Sequence, residues 1–134
     1  MAMTTPAPTC WPGLSYEDAP AAIRFLVEAF GFQEHLVVPG EAEGEVVHCE
    51  MVWPEGGGVM LGSAKRSVGD VLATAVGAAS VYVVTDRPDE IHAQCIAHGA
   101  IEIRGLKDED YGSRGFTVAD PEGNRWSFGT YRGA

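Results

Sequence analysis

Two side chains suited to acid–base chemistry, His48 and Glu50, lie two positions apart in the segment EVVHCEMVW (45–53). Because successive side chains of a β-strand point to opposite faces, a strand here places both on one face. A histidine beside a carboxylate can act as a general base, or it can anchor a cationic or hydrogen-bonding ligand. Two ligands on one strand can also bind a metal, and a hydrogen-bonded pair that only fixes the strand has the same spacing. The sequence leaves these alternatives open.

The patterns typical of covalent catalysis and of phosphate binding are missing from the sequence. No serine lies in a Gly-x-Ser-x-Gly turn, and no cysteine lies in an electropositive motif with a histidine. The glycines of EGGG (55–58) precede a predicted strand and not a helix, so they do not form a phosphate-binding loop. We therefore expect any chemistry to come from the side chains of a pocket.

Cysteine usage and the start of the chain bear on the cellular compartment. Cys10, Cys49 and Cys95 are odd in number, widely spaced and without a CxxC pair, which fits a reducing cytoplasm better than a disulfide framework or a structural zinc site. The first residues, MAMTTPAPTCWPG, have neither the basic nor the apolar region of a signal peptide. No apolar run reaches the about 18 residues of a membrane span. A cytoplasmic protein is the prediction.

The charge balance argues against nucleic acid as a partner. Nine basic residues face nineteen acidic ones, which gives a net charge of −10. Phosphate backbones favour clustered Lys and Arg, which this chain lacks. An acidic surface permits a cationic ligand, and it also serves solubility alone.

One pattern occurs twice in the chain. WPEGGGVMLGS (53–63) and DPEGNRWSFGTY (120–131) both place Pro-Glu-Gly shortly ahead of a strand that contains glycine. Both phrases predict a hairpin turn between two strands. The repetition indicates two copies of one structural module, which are too few for a solenoid and are expected to pair across a pseudo-twofold axis.

Each copy also carries the signals of one helix. Asp18 and Asp86 are good N-cap residues, and each is followed two positions later by a proline, which the first helical turn tolerates. Gly31 and Gly99 lie thirteen residues after these aspartates and suit the left-handed residue that ends a helix. The predicted helices, with apolar residues at helical spacing, are AAIRFLVEAF (21–30) and DEIHAQCIAH (89–98).

Each module therefore reads as strand, helix and three strands. A flexible lead-in (1–10) precedes a single domain over 11–134, and the long loop 105–114 is expected at the rim of any cavity. The domain consists of module one (11–62), a connection (63–79) and module two (80–131). The predicted strands are 11–16, 32–38, 45–53 and 58–63 in module one, and 80–85, 100–106, 114–120 and 125–131 in module two.

The tandem βαβββ pattern, with AFGF (29–32), VMLGS (59–63) and YGSRGFTVADPEGNRWSFGTY (111–131), resembles the vicinal oxygen chelate superfamily. This group includes glyoxalases, extradiol dioxygenases, fosfomycin-resistance enzymes and bleomycin-resistance proteins. The resemblance covers the chain from Trp11 to Tyr131. It implies an α+β fold in which each module forms a half-barrel, and the two enclose a U-shaped pocket, commonly in a homodimer. Because this scaffold hosts several chemistries, function has to be argued from the site.

The resemblance also implies where a metal would bind. In the family's enzymes four His, Gln or Glu residues hold one divalent ion, one from the first and one from the last strand of each module. The matching positions are Trp11, Ser80, Ser127 and Met60, or Leu61 with a one-residue slip. These side chains do not make a hard divalent site. We therefore predict no metal and no cofactor.

Strand alternation then predicts which side chains share a face with these positions. Cys49 and Met51 match Phe116 and Val118 of the second module and are expected on the helix-packed face, as are Val81 and Val83. The predicted ligand-binding residues are Trp11, His48, Glu50, Met60, Ser80, Tyr82, Arg125 and Ser127, with Tyr111 and Arg114 from the rim loop.

Several of these residues also have a purely structural interpretation. Trp11 could cover an open end of the sheet, and Arg114 could tie down its loop through Asp108 or Asp110 instead of binding an anion. His92 and His98 are expected on a solvated helix surface. Aromatic walls with a few polar groups describe a pocket for an organic molecule better than an ion site.

Three hypotheses follow. The favoured one is a metal-free cytoplasmic homodimer of the bleomycin-resistance type, which binds a small organic molecule, cationic or aromatic, without catalysis and without a nucleic-acid or membrane partner. The second is a glyoxalase-like lyase or isomerase, or a dioxygenase-related enzyme, that uses a relocated metal site or His48 and Glu50 as acid and base. The third is a dimerisation or regulatory module with a collapsed cavity.

Overall fold

A computed structural model describes residues 7–66 and 74–133, so parts of the predicted lead-in and connection lie outside the described residues. Strand, helix and three strands follow one another twice, as predicted. Module one comprises β1 (Gly13–Tyr16), α1 (Ala19–Phe25) with a π-helical turn (Leu26–Phe30), β2 (Gln33–Pro39), β3 (Val46–Val52) and β4 (Gly58–Ser63). Module two comprises β5 (Ser80–Val84), α2 (Pro88–Ala97), β6 (Ile101–Asp108), β7 (Arg114–Ala119) and β8 (Arg125–Gly129).

The strands form two mixed sheets of identical topology. Their orders are β1-β4-β3-β2 and β5-β8-β7-β6. In each sheet the first and last strands of the module pair in parallel, and the other neighbours are antiparallel. The predicted α+β fold of two βαβββ modules is confirmed. Within the described part of the chain, neither helix has the length and apolarity needed to cross a membrane.

The two helices begin differently, although both end as predicted. Asp18 Oδ1 accepts a hydrogen bond from Ala21 N at 3.1 Å, which is the expected N-cap. The prediction that Asp86 caps α2 is wrong, because its carboxylate accepts from Arg132 and the Thr85 hydroxyl accepts from the amide at the helix start. Gly31 has a φ of 93° and Gly99 a φ of 87°, the left-handed conformation that ends each helix.

The rim loop is shorter than predicted. Strand β6 extends through two irregularities to Asp108, so only residues 109–113 remain as the loop. Asp108 pairs with Arg114 across the two strands, and its carboxylate lies 3.2 Å from the Arg114 guanidinium. This cross-strand ion pair favours continued strand pairing where the sequence reads as polar loop.

One hydrophobic core joins the two modules. Cys49, Met51 and Val118 are 0% exposed, which confirms that their strand faces pack against the helices. At the centre, Phe30 of the π-helical turn packs against Trp126 and Phe128 of β8, with ring centroids 5.1 and 4.9 Å apart. Because the helix-covered faces of both sheets contribute to this core, the other face of each sheet points away from it.

The repeated Pro-Glu-Gly turns brace one module against the other. Glu122, in the turn of module two, accepts hydrogen bonds from the amides of Glu17 and Asp18 at 2.7 and 3.0 Å. Glu55, in the turn of module one, accepts from the Asp86 amide at 2.9 Å and from the Thr85 hydroxyl at 2.7 Å. Each glutamate thus holds the strand-to-helix junction of the opposite module.

A buried aspartate adds a further link between the modules. Asp120 is 2% exposed and accepts from the Tyr16 hydroxyl at 2.7 Å and from Trp126 Nε1 at 3.0 Å. It also accepts from the Asn124 amide and side chain and from the Glu122 amide. Burial, together with the adjacent Asp120 carboxylate, raises the pKa of the Tyr16 phenol, so this tyrosine serves as a hydrogen-bond donor.

The three thiols are expected to differ sharply in reactivity. Burial raises the pKa of Cys49 and of Cys95 to about 12, whereas Cys10 is exposed. Because the thiolate is the reactive form, a disulfide reagent at pH 8 should modify one thiol per native chain quickly. All three should react in guanidinium chloride, and fast modification of a second thiol in native protein would contradict the buried positions.

Candidate functional site

The open faces of the two sheets carry most of the predicted ligand-binding side chains. On module one, Met60 of β4 pairs with Glu50 of β3, and His48 follows on the same face. On module two, Tyr82 of β5 pairs with Ser127 of β8. Since both faces point away from the shared core, the structure divides the predicted lining between two surface clefts.

The cleft of module one combines an aromatic wall with His48, which is paired with Glu50 of the same strand face. His48 Nε2 lies 2.8 Å from Glu50 Oε2, and these side chains are 36% and 22% exposed. The pair is therefore formed at a partly exposed position, where it can either take part in acid–base chemistry or bind a ligand. The cleft has a volume of about 250 Å³ and is lined by Trp11, Gly13, Leu14, His48, Met60, Leu61 and Arg66.

Trp11 closes one end of this cleft. Its indole packs over Gly58, where an added Cβ would lie only 2.6 Å from Trp11 Cζ3. The same Cβ would lie even closer to the Met51 carbonyl oxygen, so the neighbouring strand as well as the aromatic ring excludes a larger residue at position 58. Trp11 thus both covers the end of the sheet and lines the cleft, which joins the two interpretations of this residue.

The cleft of module two is rich in hydroxyl groups. The Tyr82 hydroxyl donates to the Tyr131 carbonyl at 2.7 Å, and the Thr117 and Ser127 hydroxyls lie 2.7 Å apart. Tyr111 packs edge-on against Tyr131 at the rim. The cleft has a volume of about 170 Å³ and is lined by Tyr82, Arg104, Glu109, Tyr111, Ser113, Gly115, Phe116, Thr117, Ser127, Phe128 and Gly129.

Four of the predicted residues, Glu50, Ser80, Arg114 and Arg125, line neither cleft. Ser80 and Arg125 pair with each other across β5 and β8, and both are exposed. Arg114 binds Asp89 through two hydrogen bonds of 2.8 and 3.2 Å and also contacts Asp108, so its guanidinium ties the loop region to α2. These hydrogen bonds lower the pKa of Asp89 and raise that of Arg114. These contacts agree with the structural interpretation of Arg114, in which its side chain ties down the loop.

His92 is not the solvated helix residue that the sequence predicts. Its ring packs edge-on against Phe116 at 5.0 Å, and its Nε2 atom is buried without a hydrogen-bond partner. The side chain of Glu102 approaches this nitrogen to 3.5 Å. Helical spacing alone does not reveal this position, because it depends on how α2 settles on the second sheet. His98 is exposed, as predicted.

Arg66 is a cleft residue that the sequence pattern does not predict. It lies in the connection, outside both repeated modules, and reaches back over β4. The one sequence signal was Gly62 within a strand, because a glycine there often marks a close approach by another group. An added Cβ at Gly62 would lie 2.6 Å from Arg66 Cζ, so the guanidinium occupies the space that a side chain would fill.

The model of the Glyoxalase/Bleomycin resistance protein/Dioxygenase superfamily matches residues 11–128, which is most of the chain. The chain belongs to this superfamily. The match spans both modules and confirms the resemblance inferred from the repeated motifs. Membership establishes the fold but not the activity, because the superfamily's description includes both enzymes and resistance proteins. The activity has to be argued from the residues of the site.

Relatives within the superfamily include both sequences and solved structures. An uncharacterized protein of Mycobacterium bovis is 34% identical over 128 residues, which cover 91% of this chain and 82% of that protein. TioX from Micromonospora sp. ML1 is 29% identical, with a TM-score of 0.73, and the match covers 87% of this chain and 93% of TioX. UcmS2 is 13% identical with a TM-score of 0.70, covering 96% and 100% of the two chains, and shows likeness of fold alone.

The residues at the superfamily's metal-ligand positions do not fit a divalent ion. Trp11 and Met60 offer an indole and a thioether on module one, and Ser80 and Ser127 offer neutral hydroxyls on module two. The His, Gln or Glu side chains that hold a divalent ion in the family's enzymes are absent from all four positions. Across residues 7–66 and 74–133, no group of three or more His, Cys, Asp or Glu side chains is placed to hold a metal.

Proposed function

We propose that this protein is a cytoplasmic, metal-free binding protein that encloses a small organic molecule with an aromatic part, between module one of one copy and module two of a second copy. One observation carries the proposal: the candidate lining is split between two open clefts that both point away from a single shared core. A chain alone leaves both clefts open, whereas a second copy that covers them completes a pocket.

The dimensions of the clefts support a shared pocket. Pockets for small molecules usually have volumes of about 300–1,000 Å³. The clefts of about 250 and 170 Å³ are each smaller than this, and the two joined fall within the range. Trp11, Met60 and Tyr82 would then surround a ligand, and an aromatic stacking contact adds about 0.5–1.5 kcal/mol beyond the area that it buries.

Exposed apolar side chains on the open faces support coverage by a second copy. Leu36 and Val38 of β2 pair with Glu50 and His48, so they extend the open face of module one, and they are 44% and 38% exposed. On module two, Tyr82 is 48% exposed. Apolar groups grouped on one face are typical of interfaces, and a homodimer is the simplest source of a covering face.

Two measurements on the purified protein test this function. Sedimentation equilibrium is expected to give a dimer at micromolar concentration. After incubation with manganese, cobalt, nickel or zinc and desalting, elemental analysis is expected to find far less than one ion per chain. A monomer at all concentrations would contradict the shared pocket. One retained ion per chain, lost on His48→Gln or Glu50→Gln, would contradict metal-free binding and favour a relocated metal centre.

The contact between His48 and Glu50 also favours a second candidate function, a glyoxalase-like lyase or isomerase that uses this pair as acid and base. A histidine held 2.8 Å from a carboxylate has the geometry of a general base. Turnover of a hemithioacetal by metal-free protein, abolished by both His48→Gln and Glu50→Gln but not by Glu43→Gln in an exposed turn, would establish it. Absence of turnover with ligand binding retained would leave the binding function.

A further inference from the structure

Arg66 differs from most basic side chains of this acidic protein in how it is held. Carboxylates pair with most of the described cations, namely Arg87, Arg104, Lys107, Arg114 and Arg132. Arg66 forms no ion pair with any described residue. Its Nε donates to the Ser63 carbonyl at 2.8 Å and its Nη2 to the Ser15 hydroxyl at 3.2 Å. Both acceptors are neutral, so no carboxylate of the described residues is paired with this guanidinium.

The position of this charge is fixed by the neighbouring strands. The guanidinium lies over Gly62, in space that a Cβ would fill. Ser15, which holds it, is 2% exposed and also accepts a hydrogen bond from the Thr74 amide at 3.0 Å. The flexible side chain is therefore anchored at two points before any ligand arrives, which lowers the entropic cost of binding.

The anchored guanidinium has more donors than its contacts to the described residues use. Arginine carries five N–H groups, and within residues 7–66 and 74–133 the contacts to Ser63 and Ser15 use two of them. Arginine binds planar carboxylates through paired N–H groups. Because Arg66 lines the cleft together with Trp11, His48 and Met60, a carboxylate at this guanidinium would carry its apolar body over the indole and the thioether.

We infer that the module-one cleft selects an organic acid, with its carboxylate bound to Arg66 and its aromatic or apolar body packed on Trp11 and Met60. This inference rests on the proposed ligand-binding function and specifies its ligand class. It differs from the cationic ligand that the net charge of −10 permits. The local charges decide which ligand is bound: Arg66 lines the cleft, whereas the nearby Glu50 carboxylate is in contact with His48 and does not line it. Arg66 is thus a specificity-determining residue.

Three compounds of one shape test the inference: 2-naphthoate, uncharged 2-naphthamide and cationic 2-naphthylmethylamine. Titration calorimetry on the unaltered protein is expected to give the tightest binding for 2-naphthoate. Arg66→Gln should lower the affinity for 2-naphthoate roughly tenfold or more, because a hydrogen-bonded ion pair is lost. The affinity for 2-naphthamide should stay nearly unchanged. Arg66→Lys keeps the charge without the fork and should bind less tightly than the unaltered protein. Arg24→Gln, on the exposed surface of α1, is the matched control and should change nothing.

Gly62→Ala provides an independent variant, because it keeps Arg66 but places a methyl group where the guanidinium lies. This variant too should lower the affinity for 2-naphthoate more than the affinity for 2-naphthamide. Equal affinity for the three compounds, or unchanged 2-naphthoate binding by Arg66→Gln, would overturn the role of Arg66 and leave the proposed ligand-binding function standing. If none of the compounds binds at millimolar concentration, the organic-acid class is wrong, and the dimer and metal measurements still judge the proposed function separately.

Discussion

Asp120→Ala is expected to lower the free energy of unfolding by about 4 kcal/mol. The substitution removes the acceptor of the Tyr16 hydroxyl and of Trp126 Nε1, which are both buried. Hydrogen bonds to a charged group contribute about 1.5–3 kcal/mol each, and a buried donor without an acceptor adds its own desolvation cost. The lost carboxylate desolvation offsets part of this sum.

Equilibrium denaturation in urea measures the change. Asp110→Ala is the matched control, because Asp110 is exposed in the short rim loop and its loss should change stability by less than about 0.5 kcal/mol. Asp120→Asn keeps the shape of the side chain and one acceptor. Its loss of unfolding free energy should therefore lie between the losses of Asp120→Ala and Asp110→Ala. An Asp120→Ala protein as stable as the control variant would show that the network contributes nothing to joining the modules.

Phe30→Ala is the second large effect, with an expected loss of about 3–5 kcal/mol and a melting temperature lower by roughly 15 °C. Phe30 is 1% exposed and packs against Phe25 as well as Trp126 and Phe128. Removing its ring leaves a cavity between the modules, because the flanking rings belong to a helix and a strand that cannot both shift inward.

Val27→Ala gives the comparison on the same helical turn. Val27 is 39% exposed, so its truncation should cost well under about 1 kcal/mol. Calorimetry of the two variants separates the loss of the shared core from a general weakening of the helix. Two separate thermal transitions in Phe30→Ala would show that the modules unfold independently once this ring is gone, whereas a melting temperature unchanged from the original protein would contradict its central position.

Local patterns in the sequence predict most of the fold. Asp18 and Gly31 mark the two ends of the first helix, and the alternation around Cys49 and Met51 gives the buried face of β3. These signals work because helix caps and strand faces depend on neighbours within a few residues. The tandem repeat then extends each prediction to the second module.

Features that depend on contacts distant in sequence could not be predicted in the same way. Asp86 has the sequence context of a cap, yet Arg132 draws its carboxylate away. His92 has helical spacing typical of an exposed residue, yet Phe116 covers its ring. Both outcomes depend on the packing of module two, which the local pattern does not contain.

The candidate site was predictable in composition but not in arrangement. Strand alternation places His48, Glu50 and Met60 on one face, and the structure confirms that they share it. The sequence does not reveal that the two open faces point away from one core, because this depends on which surfaces of the modules meet. It also does not reveal Arg66, since nothing near that residue repeats in module two.

The reciprocal contacts of Glu55 and Glu122 have a consequence for how such a chain could arise. Each glutamate occupies the same place in its module and binds the same junction of the other, so exchanging the two modules would exchange the two contacts. A separate chain of one module would form both bonds with an identical partner across a true twofold axis, as isologous interfaces do. Fusion of two such genes would preserve the interface without any new contact. After fusion the two open faces can diverge, so that one has a tryptophan and an arginine and the other has tyrosines. A single-module ancestor could not achieve this, because its two copies would carry identical faces.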